Sequence, residues 1–440
     1  MSWLQGPARG PLLYLVMALL LVLVGVLQSW NVALAILCMC LVSAVMALGA
    51  NIAWGYAGLM NVGLMGFAAL GGLAVVLAAQ PPVPEAWAAG GLRLLGAGAA
   101  LVVSVVAIAL VRARLAKGRL RALATVVLVV AAYALVRVLF DPATDAIEAV
   151  DPAVTGYLGG LGLPSVAGWA LGGVLAAGAA WLIGKVSLGL RSDYFAIATL
   201  GISEIIIAVL KNEDWLARGV KNVTGLPRPA PYEVDLQASA AFVERAQAWG
   251  LDPAEASGIF VKLCYAALFA AVLGVLLWLA ERALNSPWGR MMRAIRDNEV
   301  AAEAMGKDVV KRRLQTFILG SAVVGIAGAM MVSFDGQFTP GTYQPLRFTF
   351  LVWVMVIVGG SGNNWGSVLG GFLIWFVWIE AEPAGRWLMD ALTAWAPEGN
   401  AFAAHLQEGA AHMRMIFMGL ILLLVLRFAP RGLMPEKIRR

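Results

Sequence analysis

The feature that most constrains this chain is a succession of long apolar runs, at 11–28, 32–50, 55–79, 91–111, 122–139, 166–184, 194–211, 259–280, 314–333, 346–360, 365–380 and 411–428. A helix needs about 20 apolar residues to cross roughly 30 Å of hydrocarbon. Backbone groups inside a bilayer must be satisfied internally, so such runs are read as helices. No segment shows the polar–apolar alternation of a barrel strand. Charged residues make up 13% of the 440 residues, against about 25% in soluble domains, and they cluster between the runs. The expected fold class is an all-α membrane protein, a polytopic helical bundle of about twelve apolar segments forming one membrane domain over 1–440. The first run could be taken for a cleavable signal peptide. The small-residue site at Ala33-Leu34-Ala35 lies inside the second run, however, so the first is read as a retained helix.

The tenth and eleventh runs are short and are joined by Gly359-Gly360-Ser361-Gly362-Asn363-Asn364, a breaker cluster. Two half-helices meeting at mid-depth and a tight helical hairpin both fit this pattern. Orientation follows from the basic residues. With an inside N-terminus and strict alternation, 21 of the 32 Lys and Arg residues fall inside, and 18 of the 26 acidic residues fall outside. Both termini are therefore expected on the cytoplasmic side of a bacterial inner membrane. The basic excess reflects topology and lipid headgroups, and no nucleic-acid partner is expected. The segments 212–258 and 381–410 are the long outside loops, and 281–313 is the longest inside element.

Several chemistries lack their residues. There is no phosphate-binding Gly-x-x-x-x-Gly-Lys-Ser/Thr loop, no His-Glu-x-x-His and no Gly-x-Ser-x-Gly. Cys38, Cys40 and Cys264 sit in apolar runs without metal-ligand spacing, and His405 and His412 have no Cys or Glu partners. No catalytic residue, metal site or bound cofactor is expected. Within the spans, the ionisable residues singled out are Glu204 and Arg137, few for a carrier that drives itself with protons or ions. The chain reads as a passive path that needs an external motor.

In 281–313, Pro287 pre-sets a helix start. Arg290, Arg293 and Arg296 recur every three residues as one basic stripe. Asp297-Asn298 can cap a second short helix with Glu299 in its first turn, and Gly306 can end it. Ala301 and Ala302 leave a small-residue surface there. A basic loop anchored at headgroups and a contact for a separate motor protein both fit these residues.

The run Arg293-Ala294-Ile295-Arg296-x-x-Glu299-x-Ala301-Ala302-x-x-x-Gly306 resembles the coupling loop of ABC importer permeases of the branched-chain amino acid type. Three further stretches resemble the same family, in its order. They are Gly55-Tyr56-Ala57-Gly58 followed by Gly63, Phe67 and Gly71; Arg191 to Gly201, including Tyr194 and Thr199, followed by Glu204-Ile205-Ile206; and Phe338-x-Pro340 followed by Val358-Gly359-Gly360-x-Gly362-Asn363. The match is nearer to the LivM type than to its shorter LivH-type partner. The resemblance implies a type II importer bundle that moves Leu, Ile or Val. It implies a second permease, two cytoplasmic ATPases that use the ATP, and a periplasmic binding protein. It places Arg293, Arg296, Asp297, Asn298, Glu299, Ala301, Ala302 and Gly306 at the ATPase contact. Gly55, Tyr56, Gly58, Asn61, Gly63, Tyr194, Thr199, Glu204, Gly359, Gly360 and Gly362 fall on the path or its helix seam.

Close helix packing in lipid explains the same glycines without any path. Two departures stand out. Of Leu59, Asn61 and Leu64, only Asn61 is polar where the family often carries Gln, Ser and His. The 80–165 stretch is longer than usual and reads as an insertion of two extra spans. Urea, short amides or other amino acids remain as alternative cargo, and a self-contained carrier remains as an alternative of another class.

Overall fold

The computed structural model describes residues 9–152, 154–394 and 401–436. Fourteen helices carry the architecture: α1 (Arg9–Leu27), α2 (Trp30–Ala57), α3 (Leu64–Ala79), α4 (Pro84–Arg114), α5 (Arg119–Glu148), α6 (Ser165–Ser187), α7 (Ser192–Asn212), α8 (Pro253–Asn285), α9 (Pro287–Asp297), α10 (Glu299–Ala304), α11 (Val309–Asp335), α12 (Pro345–Gly359), α13 (Asn364–Thr393) and α14 (Met413–Phe428). Nine of the described helices are long and apolar enough to cross a membrane, and α3 and α12 are shorter apolar helices. This is an all-α, polytopic bundle. A two-residue pair, β1 (Val223–Thr224) against β2 (Gln337–Phe338), ties the 213–252 excursion to the α11–α12 connection.

The centre is α2 against α11, surrounded by α3, α6, α8, α12 and α13. An apolar helix without a polar face belongs in the middle of a bundle, and 78% of the apolar stretch of α2 is buried. Glycines set the spacing. A Cβ on Gly49 would lie 2.8 Å from the Gly320 carbonyl, and one on Gly71 would fall on the carbonyl of Gly325. Close backbone approach of this kind is how helices gain packing energy in lipid. The α4–α5 hairpin stands apart: its helices pack mainly on each other, and none of the apolar stretch of α5 is buried.

The loops sort into two ends. Gln28 meets Glu380, Pro82 bridges Gly159, Trp215 meets Glu148, and β1 meets β2 at one end. Residues 55–58, 281–296, 360–364 and 431–436 meet at the other. This is the alternation implied by the charge pattern, so the first is called the acidic end and the second the basic end.

One expectation is corrected, one open alternative is decided and one loop proves partly helical. The third apolar run, 55–79, is not one helix: Gly55–Ala57 finish α2, the chain is irregular over 58–63, and α3 starts at Leu64. The short tenth and eleventh runs form a tight hairpin, α12 and α13, that turns at 360–363 beside the basic-end loops rather than half-helices meeting at mid-depth. The outside loop 381–410 is helical to Thr393, because α13 runs on past Glu380 and Glu382. Residues 395–400 of that loop and 437–440 of the basic tail lie outside the described residues.

Candidate functional site

The basic end is built on two short helices. Ser286 caps α9 by accepting from the Gly289 amide, with Pro287 in the first turn. Its apolar face buries Met292 and Ile295 completely, Met292 against the Thr316 hydroxyl of α11. Asn298 caps α10 by accepting from the Ala301 amide at 3.0 Å. The helix ends at Gly306, whose φ of +75° is the left-handed geometry that glycine adopts without strain. Glu299 pairs with Arg313 at 2.5 Å, pinning α10 to α11.

The basic stripe is divided. Arg290 is exposed, whereas Arg293 and Arg296 turn toward the protein. Arg296 donates to the Gly55 carbonyl at the end of α2 and to Glu436 at 3.0 Å, and Arg293 lies 3.6 Å from the same carboxylate. Ala302 is also inward, 8% exposed against the core, so it presents no surface to a partner. The outward face of α10 is Val300, Ala301 and Met305.

Beneath α9 lies a buried polar cluster. Asn364 Oδ1 accepts from Tyr56 Oη at 2.5 Å and from Asn51 Nδ2 at 3.1 Å, and Asn364 Nδ2 donates to Glu281 at 3.0 Å. The Gly362 amide donates to Asn51 Oδ1 at 2.8 Å. Gly359 packs on Gly366, so closely that a Cβ would fall on the Gly366 carbonyl. The amides of Leu433 and Met434 donate to the carbonyls of Val358 and Gly359, both at 2.8 Å. The C-terminal tail therefore straps the α12–α13 turn, and Glu436 joins that strap to α9.

The break at 58–63 follows directly. Gly58 ends α2 in the left-handed region, at φ +67°. The backbone freed there is taken up by side chains of other helices. The Val62 amide donates to Thr199 Oγ1 at 3.1 Å, the Gly66 amide to Ser203 Oγ at 2.8 Å, and Trp353 Nε1 donates to the Asn61 carbonyl at 3.1 Å. Asn61 Oδ1 accepts from the Gly63 amide at 2.9 Å, while its Nδ2 is buried without a partner. Irregular backbone inside a membrane bundle persists only where protein satisfies it, as it does here.

The structure thus brings together Gly55, Tyr56, Gly359, Gly360, Gly362, Arg293 and Arg296 in one cluster, and Gly58, Asn61, Gly63 and Thr199 in the adjoining break. Asp297 ends α9, and Asn298, Glu299, Ala301, Ala302 and Gly306 belong to the α10 module. Tyr194 and Glu204 stand apart. Both are exposed on the outer face of α7, opposite the buried line Phe195, Thr199, Ser203 and Ile207. Sequence reasoning missed Asn51, Glu281, Asn364 and Glu436. Asn51 and Asn364 carried a signal, as amides set against apolar runs.

A family model described as branched-chain amino acid transport system / permease component matches residues 152–426. The chain belongs to this family, and it is a multi-pass membrane protein. It is 29% identical over 253 residues to the probable branched-chain amino acid transport permease protein LivM of Methanocaldococcus jannaschii, covering 57% of this chain and 62% of that one. It is 28% identical over 214 residues to the high-affinity branched-chain amino acid transport system permease protein LivM of Escherichia coli, covering 46% and 48%. A probable LivH permease of M. jannaschii is 30% identical over 115 residues, covering 26% and 35%. The chain thus spans between about half and three-fifths of the length of the LivM relatives it matches. No solved structure matches it.

Proposed function

We propose that this chain is a membrane-spanning permease subunit of an ATP-driven importer of branched-chain amino acids. It lies in a bacterial inner membrane with its basic end and both termini cytoplasmic. It forms the path with a second, LivH-type permease, receives cargo from a periplasmic binding protein, and is driven by two separate ATPases. The chain itself hydrolyses no ATP and holds no cofactor.

One observation carries this reading: α9–α10 is mechanically continuous with the break in the bundle. Arg296 holds the Gly55 carbonyl immediately before the break, and through Glu436 it holds the strap on the α12–α13 turn. A displacement of α10 is delivered to the end of α2 and to 58–63, where irregular chain allows α2 and α3 to move separately. The outward face of α7 suits the second permease. A carboxylate such as Glu204 costs about 2.5–3.5 kcal/mol at the centre of a bilayer, and the exposed Gly201 and Ala208 beside it permit close approach of another helix. We read the α4–α5 hairpin, which packs mainly on itself, as an insertion of two spans within 80–165.

The test is uptake of radiolabelled leucine into proteoliposomes. The full assembly with ATP should accumulate leucine, and the chain alone should accumulate none. Uptake by the chain alone, driven by a proton or sodium gradient, would replace this reading with a secondary carrier.

A further inference from the structure

Between Glu85 and Asp141 the chain carries no acidic residue, and five of its basic residues crowd into the turn of the α4–α5 hairpin: Arg112, Arg114, Lys117, Arg119 and Arg121. None of these five side chains forms an ion pair or a hydrogen bond among the described residues. The basic stripe of α9, by contrast, is spent on Glu436 and on the Gly55 carbonyl. Like charges held this close repel one another, so an anion that bridges them is favoured.

The spacing of charges fixes the depth of this turn. Arg93 and Arg112 lie 19 residues apart on α4 with no charged residue between them. At 1.5 Å per residue that interval is about 29 Å, close to the roughly 30 Å of the hydrocarbon layer. Only 6% of the apolar stretch of α4 and none of that of α5 is buried, so the hairpin faces lipid. Arg112 and Arg121 therefore stand where hydrocarbon gives way to headgroups. An open cleft of about 510 Å³ lies at this level. Arg112, Lys117 and Arg121 form its polar part, and Ala122 and Val126 form an apolar floor on the exposed side of α5. Thr125, the remaining polar side chain of the lining, donates to the Arg121 carbonyl at 2.7 Å, so the cations are the donors left for a ligand.

Cations above an apolar floor, at the depth of the phosphates, fit an amphiphile. We propose that the tip of the α4–α5 hairpin binds an anionic phospholipid, preferentially one with two phosphates. Arg112, Lys117 and Arg121 hold the phosphates, and the acyl chains lie along Ala122 and Val126. Guanidinium groups bond phosphate oxygens in pairs, and basic pockets at the headgroup level of membrane proteins take such lipids. Three cations exceed the single negative charge of phosphatidylglycerol, so a lipid with two phosphates satisfies more of them. A soluble phosphate would engage the cations but leave the apolar floor to water; a lipid uses both. The site is independent of the cargo and of the ATPase contact.

The test is a lipid titration of the full-length chain with its co-purifying subunits in detergent, read by native mass spectrometry. The probes are diphosphatidylglycerol, phosphatidylglycerol and phosphatidylethanolamine with matched acyl chains, and pyrophosphate as a soluble competitor. Diphosphatidylglycerol should bind most tightly, phosphatidylethanolamine most weakly, and millimolar pyrophosphate should not displace the lipid. Arg112→Gln/Arg121→Gln should weaken diphosphatidylglycerol binding at least tenfold. Arg114→Gln/Arg119→Gln removes the same charge from the same turn but outside the cleft, and should leave binding unchanged. Ala122→Trp keeps every charge, fills the floor, and should weaken binding as the cleft variant does. All three variants should keep the wild-type thermal midpoint, because the hairpin tip is no part of the core. Equal losses in the two charge variants would reduce the cleft to a diffuse basic surface. Displacement by pyrophosphate would make it a site for soluble anions, and equal binding of phosphatidylethanolamine would remove the role of charge. Each of these results would overturn the proposal.

Discussion

Asn364 holds together three elements at once: α2 through Asn51 and Tyr56, α8 through Glu281, and α13 on which it sits. Its side chain is fully buried, so removing it strands polar groups that have no water to turn to. Each stranded group costs about 1–3 kcal/mol. Asn364→Leu should therefore lower the thermal midpoint of the purified protein by several degrees, whereas a change at exposed Arg290 should leave it in place. An unshifted midpoint for Asn364→Leu would mean that the cluster is not cooperative. At this scale the sequence was only partly legible. The start of α9 at Pro287, the cap of α10, the stop at Gly306 and the close-packed glycines could be read, because each depends on neighbours in the chain. The inward turn of Ala302 could not, because α10 is too short for periodicity to define a face. Nor could the partner of Arg293 and Arg296, since Glu436 is distant in sequence.

At the level of elements, the hidden feature was the break at 58–63. The residues Leu59, Met60, Val62 and Leu64 keep mean hydropathy high, and the bonds that stabilise the irregular chain come from Thr199, Ser203 and Trp353, far away in sequence. The α12–α13 turn was visible because glycine and asparagine crowd together there. The C-terminal strap was invisible for the same reason as Glu436, yet it makes a specific claim. The Arg296–Glu436 pair is only partly buried, so it contributes about 1 kcal/mol, enough to bias the register of a strap that is otherwise held by two backbone bonds and by Asn363 Nδ2 donating to the Met434 carbonyl. In Glu436→Gln, a spin label at position 435 should become more mobile and ATP-driven uptake should fall. An unchanged spectrum would show that the pairing of Leu433 and Met434 suffices without the carboxylate.

For the whole molecule, fold class, span order and family membership were legible because hydrocarbon thickness and charge asymmetry act on long stretches of chain. The outward α4–α5 hairpin was legible as two apolar segments but not as a unit packed mainly on itself. The account places the basic end in the cytoplasm. In a cysteine-free background, single cysteines at 115 and 303 should resist an impermeant thiol reagent in intact cells, and those at 220 and 234 should react. Labelling of position 303 from outside would invert the topology and remove the ATPase contact with it. That contact is the central claim, and Ala301 tests it most directly. Its side chain is exposed on α10, so Ala301→Arg leaves the packing of the chain intact, unlike a change at buried Ala302. It places a long charged group where a partner must fit closely, at a cost of a few kcal/mol once buried there. The decisive measurement is recovery of the ATPase with the purified permease at matched expression, for Ala301→Arg beside an Arg290→Ala control. The account predicts that Ala301→Arg reaches the membrane, keeps its partner permease and loses the ATPase together with leucine-stimulated ATP hydrolysis, while Arg290→Ala keeps both. Wild-type ATPase recovery and uptake in Ala301→Arg would contradict it.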